Sequence, residues 1–139
     1  MTWKQSSLYI NTDGRSAIEI TSMVDRQIRD ARLNVGIAHL FLKHTSASLM
    51  LSENADPTVL RDLETVMQRL GPDGDPEYLH NYEGDDDMAA HVRSVLTTND
   101  LSIPISQGRT NLGTWQGIFI YEHRFLPHRR ELIITLNGE

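Results

Sequence analysis

His80, Glu83, Asp85, Asp86, Asp87 and His91 fall within a single run of twelve residues. Two imidazoles and four carboxylates so close together form a donor set that suits zinc and other first-row divalent cations. The same groups can also move protons as general acids and bases. A third imidazole, His44, opens the run His44-Thr45-Ser46-Ala47-Ser48, and Glu53-Asn54-Ala55-Asp56 follows it. Chemistry is expected where these segments meet. Three neutral imidazoles, His44, His80 and His91, would leave a zinc or magnesium ion one open position for water or substrate.

Asp87 lies four residues before His91, so on a helix the two share a flank. That spacing fits a metal ligand with a carboxylate beside or behind it, and equally a general acid/base tuned by that carboxylate. It also fits acids that only cap a helix and complement its dipole. Capping accounts for one acid and leaves His80 and Glu83 without a role, which favours a site. His44 continues the parity of Leu40 and Leu42, so its ring is expected to point inward with them. A lone inward histidine reads as a core residue. The hydroxyls of Thr45, Ser46 and Ser48, with Glu53 and Asn54 nearby, make His44 and Glu53 candidate catalytic groups and the others candidate substrate contacts. Gln116, Glu122 and Arg124 are the polar residues further along that are expected to reach a pocket. Gly108 and Gly113 permit a tight turn, but no Gly-Lys-Ser/Thr phosphate loop follows, and no nucleophile elbow surrounds Ser46 or Ser48. Trp115 is expected in the core. His39, on the strand face opposite His44, is expected to matter for stability and not for chemistry.

Three helices must position these groups. One is expected over Ser22 to Arg32, with Ser22 as N-cap and Asp25 completing a capping pair. In a second, Asp56 caps, Pro57 takes the first position and Gly71-Pro72 ends it, with Val59, Leu60, Leu63, Val66, Met67 and Leu70 facing inward. The third runs from about Asp86 to Leu96, with Met88, Ala89, Val92, Val95 and Leu96 inward. Strands are expected over Leu8–Asn11, Ala17–Ile20, Val35–Leu42, Ala47–Leu51, Leu101–Ser106, Trp115–Glu122 and Glu131–Leu136. Val35–Leu42 reads as buried on both faces, and Pro104 suggests an edge or a bulge in its own strand. The last two strands are expected to join through a hairpin-like turn near Pro127. Strands follow strands too often for a doubly wound sheet, so an α+β fold with antiparallel sheets is expected.

At 139 residues the chain fits one domain with a real core. A net charge of −6 and scattered basic residues argue against nucleic acid as the main partner. The cluster Arg124, His128, Arg129, Arg130 could instead meet a phosphate or a neighbouring subunit's carboxylates. Cysteine is absent, which excludes disulfides, thiolate metal sites and a cysteine nucleophile. No apolar stretch reaches the length of about 18 residues that spans a bilayer. The amino terminus lacks the apolar region of a secretory signal, so a cytoplasmic location without membrane contact is expected.

The runs His44-Thr45-Ser46-Ala47-Ser48-Leu49, Glu53-Asn54-Ala55-Asp56-Pro57 and Tyr82-Glu83-Gly84, with His91 and Leu112-Gly113-Thr114-Trp115-Gln116-Gly117-Ile118, resemble the YjbQ family. Its members are also labelled secondary thiamine-phosphate synthase enzyme, and the resemblance covers essentially the whole chain. It implies an α+β fold of antiparallel sheets with helices, assembly as a homotrimer, and a weak thiamine-phosphate synthase activity. That reaction joins a pyrimidine pyrophosphate to a thiazole phosphate and releases pyrophosphate. It needs a divalent metal or cations on the leaving diphosphate, and Lys43, Arg61, Arg93, Arg109 and Arg124 are the basic residues available. Two functions are therefore expected. One is a metal-assisted transferase in which His44, His80 and His91 hold or tune the centre. The other is a trimeric protein that binds a metal or a small anionic metabolite without turnover.

Overall fold

The computed structural model, which describes residues 1–139, has eight strands and three helices. β1 (Thr2–Thr12) and β2 (Ser16–Glu19) precede α1 (Thr21–Asp30). β3 (Gly36–Leu42), β4 (Ala47–Glu53), α2 (Pro57–Leu70) and α3 (Asp87–Leu96) follow. β5 (Asp100–Ser106), β6 (Arg109–Thr110), β7 (Gln116–Glu122) and β8 (His128–Gly138) complete the fold. Every pairing is antiparallel: one sheet runs β1-β8-β3-β5-β6 and the other β2-β7-β4. One apolar cluster takes Leu40, Leu42, Ile103, Leu132 and Ile134 from the first sheet, Leu49, Ile118 and Ile120 from the second, and Val24 and Ile28 from α1. The α+β class expected from the strand spacing is the one observed.

The β3 strand is buried on one face only. Ala38, Leu40 and Leu42 are inside, whereas Ile37 and Phe41 are 44% and 43% exposed on the outer face. No helix covers that face, so the apolar residues on it are not core. β7 and β8 are not a hairpin either: β7 pairs with β2 and β4, and β8 with β1 and β3. The Pro127 segment instead carries the chain from one sheet to the other. Trp115 lies before β7 and is 63% exposed, not core. His39 is also a surface residue, its Nε2 lying 3.0 Å from Asp100 Oδ2 with both side chains well exposed. We therefore expect His39→Ala to cost less than about 1 kcal/mol in urea denaturation; a loss of several would place it in the core after all.

α2 starts as its sequence dictates. Asp56 Oδ1 accepts from Thr58 N at 2.9 Å, Pro57 opens the helix, and Gly71 N donates to Met67 O at its end. Its apolar stripe is turned away from the body: Met67 is its one buried residue, and Leu63, Val66 and Leu70 are exposed. α1 departs from expectation at its cap. Ser22 lies inside the helix, and Asp25 accepts instead from Thr110 N at 2.8 Å. Thr21 links the helix start to β7 by accepting from Ile118 N at 2.9 Å. α3 is rotated relative to its apolar pattern. It buries Asp87, Ala89, Ala90, Arg93 and Ser94 and leaves Val95 and Leu96 outside. That rotation sets the site.

Candidate metal centre

The small residues Ala89 and Ala90 let α3 sit close to β4, where Ser94 Oγ donates to Ala47 O. The loop before it is folded back by Gly74, whose N–H donates to Asp85 O at 2.9 Å. Gly84 has φ +100, a backbone region that disfavours a side chain, and it turns the chain into α3. These constraints bring His80 on the loop over Asp87 and His91 on the first turns of the helix.

Asp87 is the hub, with its side chain 4% exposed. Its Oδ2 lies 2.6 Å from His80 Nε2 and 3.4 Å from His91 Nε2. Its Oδ1 accepts from Arg124 Nη1 at 2.7 Å, leaving Oδ2 to the two imidazoles. The same guanidinium binds Asp86 Oδ2 through Nε at 2.9 Å and Glu83 O through Nη2 at 3.0 Å. Asp86 Oδ2 also accepts from Phe125 N. Burial works to raise the Asp87 carboxyl, but the His80 bond and the charges of Arg124 and His91 hold it below its ordinary value. Asp86 is likewise held low against its burial by Phe125 N–H and Arg124. Both are ionised at neutral pH.

Three ligand atoms, one each from His80, Asp87 and His91, lie within 4.8 Å of one another. Tetrahedral zinc with bonds of about 2.0–2.1 Å requires ligand atoms roughly 3.3 Å apart. The separations, 2.6 Å and 3.4 Å from Asp87 Oδ2 to the two imidazoles and at most 4.8 Å between any two, bracket that value. The two imidazoles are about one-third exposed, so the centre faces solvent. Tyr82 packs edge-on against His80 with ring centroids 4.9 Å apart. A cleft of about 390 Å³ is lined by His80, Asp75, Tyr78, Asn81, Asp85 and Met88. Two imidazoles and a carboxylate with an open side fit a divalent zinc-type cation.

His44 stands apart from this group. Its Nε2 accepts from Glu131 N at 2.8 Å, and its Nδ1 lies 3.3 Å from Arg130 Nη1. Burial and then the Arg130 charge lower its pKa, so the ring is neutral and structural within the chain. The expected convergence of His44 with His80 and His91 therefore does not occur in one subunit, and His80, Asp87 and His91 converge instead. His44 lies just past the end of β3 at Leu42, half-buried, with its ring turned to buried Arg130. The other candidates make bonds of their own. Ser46 Oγ accepts from Arg130 Nη2, and fully buried Ser48 pairs with His123 Nε2 at 2.9 Å. Glu53 Oε2 accepts from Asp56 N, and Asn54 Nδ2 donates to Glu19 Oε2. Gln116 Oε1 accepts from Gly113 N and closes a turn, and Thr45 is exposed on the surface. None of them bonds to the His80–Asp87–His91 group. Arg124 does touch it, through Asp87, as a clamp on the carboxylates. Of the basic cluster, Arg124 and Arg130 are paired inside the chain with Asp86, Asp87 and Glu122, whereas Arg129 is exposed and packs over the Tyr9 ring.

Sequence reasoning missed His123. It is fully buried, and burial followed by the Arg93 charge lowers its pKa to about 3. Unfolded, the same ring titrates near 6.5. Its contribution is complete above that value and drains as pH falls toward about 3, by up to about 1.4 kcal/mol per pH unit. Stability measured between pH 6.5 and 4 is thus expected to fall with acid, and less steeply in His123→Gln. Equal slopes would contradict a neutral, buried ring.

The family model described as UPF0047 protein YjbQ-like matches residues 6–139. UPF0047 protein sll1880 of Synechocystis sp. is 45% identical over 97% of this chain and 92% of its own length. UPF0047 protein YjbQ of Escherichia coli O157:H7 is 44% identical over 99% of both. Among solved structures, the conserved hypothetical protein TT1486 from Thermus thermophilus superposes with TM-score 0.85 at 32% identity, over 95% of this chain and 99% of that one. The hypothetical protein APE1520 from Aeropyrum pernix gives TM-score 0.87 at 25% identity, over 98% and 99%. A match that spans nearly the whole chain in both sequence and fold leaves one reading: this chain belongs to the UPF0047 protein YjbQ-like family.

Proposed function

We propose that the protein holds a divalent cation, zinc above others, through His80, Asp87 and His91. A small phosphorylated or anionic metabolite would bind at the position left open. The observation that carries the reading is the aim of both Nε2 atoms at one buried carboxylate oxygen, whose partner oxygen Arg124 already occupies. Three protein ligands with one free position is the arrangement of catalytic zinc sites, whereas structural sites use four. When bound, such a cation polarises a substrate oxygen or acidifies a bound water. Glu83 Oε2, 4.0 Å from His80 Nε2, is the carboxylate placed to accept a proton there.

Thiamine-phosphate synthesis is the transfer reaction this reading puts first for assay. Its leaving diphosphate needs cations, and Arg124 and Arg93 are committed to Asp86, Asp87 and Glu64. The metal, or a neighbouring subunit, would have to supply them. One feature favours metal binding without turnover: the cleft beside His80 presents Asp75 and Asp85 and no lysine or arginine to hold a phosphorylated substrate. We further propose a cytoplasmic homotrimer. Trp3, Tyr9, Ile37 and Phe41 share the uncovered outer face of the five-stranded sheet, an apolar surface that assembly would bury. At concentrations on the order of 10 μM, light scattering should give three times the chain mass of 15.8 kDa; a monomer mass would contradict this.

The test of function is a zinc titration of metal-free protein, followed by a pyrophosphate-release assay with the two thiamine precursors. Stoichiometric binding with metal-dependent release supports the transferase. Binding without release leaves the binding protein, and no binding overturns both.

A further inference from the structure

The outer face of α2 carries a pattern that the fold leaves unused. Val59, Leu63, Val66 and Leu70 recur at intervals of four, three and four, the spacing of a two-helix seam. Leu60, Glu64 and Met67 are the residues turned toward the body, where Glu64 meets Arg93 and Tyr121. The seam itself lies outside, with Leu63, Val66 and Leu70 36%, 45% and 55% exposed. Along one flank of it stand Asp62 and Arg69, one near each end, both exposed and without a hydrogen bond or ion pair inside the chain.

We propose that this face pairs with the same face of a second copy, the two α2 helices running antiparallel about a two-fold axis between residues 64 and 65. That arrangement is self-complementary. Leu63 packs against Val66 of the second copy and Val59 against its Leu70, and the two reciprocal contacts follow by symmetry. The same axis sets Asp62 of each copy beside Arg69 of the other, so two ion pairs close together. A parallel pair would instead set Asp62 beside Met67 of the second copy, leaving both charges without a partner across the seam. The charges therefore select the antiparallel form and a partner of identical sequence. Two helices of fourteen residues bury less than a standard interface, so the association is weak and depends on concentration. It doubles whatever assembly the rest of the surface makes and is independent of the metal reading.

Light scattering over a concentration series tests it, with circular dichroism as the check on folding. Wild type should show a mass that doubles as concentration rises. Asp62→Arg should weaken the doubling by about tenfold, because two attractive contacts become repulsive. Adding Arg69→Asp to the same chain should restore it, which only reciprocal contact between copies can do. Leu63→Ser/Val66→Ser should abolish it and leave the fold intact, since both residues face outward. The natural absence of cysteine allows a second reading: Leu63→Cys mixed with Val66→Cys should form the mixed disulfide faster than either alone. No doubling in wild type would overturn the proposal. So would a double charge variant as weak as the single one, which would leave the face to a different protein.

Discussion

Replacing His91 with alanine is expected to lower zinc affinity by a factor of about a hundred or more, the loss that follows removal of one of three protein ligands. Any metal-dependent turnover should fall at least as far. The fold should survive, because His91 is about one-third exposed and borders solvent on its side of α3. His44→Ala is the informative contrast. Its ring nitrogens face Glu131 N and Arg130, so the variant should keep zinc affinity while losing some stability. The same loss of affinity in both variants would contradict a centre made by His80, Asp87 and His91 alone. Normal affinity in His91→Ala would remove the centre altogether.

Glu122→Ala should be the most destabilising of the polar replacements. Glu122 is fully buried at the end of β7, where it accepts from Arg130, Thr12 Oγ1 and Arg124 N. Removing it leaves Arg130, 3% exposed, as an uncompensated charge in the interior. Breaking a buried pair from one side costs about 3–5 kcal/mol, so the melting temperature should drop by roughly 10 °C or more. Replacing both partners with apolar residues of similar size should recover much of that loss. Burial works to raise the Glu122 carboxyl, yet the bonds from Arg130, Arg124 N–H and Thr12 hold it below its ordinary value of 4.5. Its contribution is therefore complete above that pH and is lost as pH falls below it, overlapping the lower part of the range in which His123 acts. A cost under about 1 kcal/mol for Glu122→Ala in urea would mean that water replaces the carboxylate and the pair is not structural.

The parts of this molecule that were legible in the sequence are those decided by neighbours in the chain. Asp56, Pro57 and Gly71 bound α2 because capping is local chemistry. Asp87 and His91 meet because four residues make one helical turn. The antiparallel α+β class followed from how often strand succeeds strand. What failed depended on where elements dock. The apolar stripe of α2 looked like a core face and lies outside, because burial belongs to the fold and not to the helix alone. α3 turns its aspartate, arginine and small residues inward, as Arg124 and Glu64 neutralise the buried charges from other elements. The Glu122–Arg130 and Ser48–His123 pairs join separate strands or loops, and no spacing announces them. His44 and His91 looked alike as imidazoles beside polar neighbours. Only the tertiary structure separates a ring held by backbone and arginine from one aimed at the carboxylate oxygen that a second imidazole also faces.

The central claim is the metal centre, and anomalous diffraction from crystals grown with zinc tests it most directly. The account predicts one strong peak per subunit, within about 2.0–2.2 Å of His80 Nε2, Asp87 Oδ2 and His91 Nε2, with Arg124 still bound to Asp87 Oδ1. An empty position there at saturating zinc, or a peak on His44 instead, would contradict it.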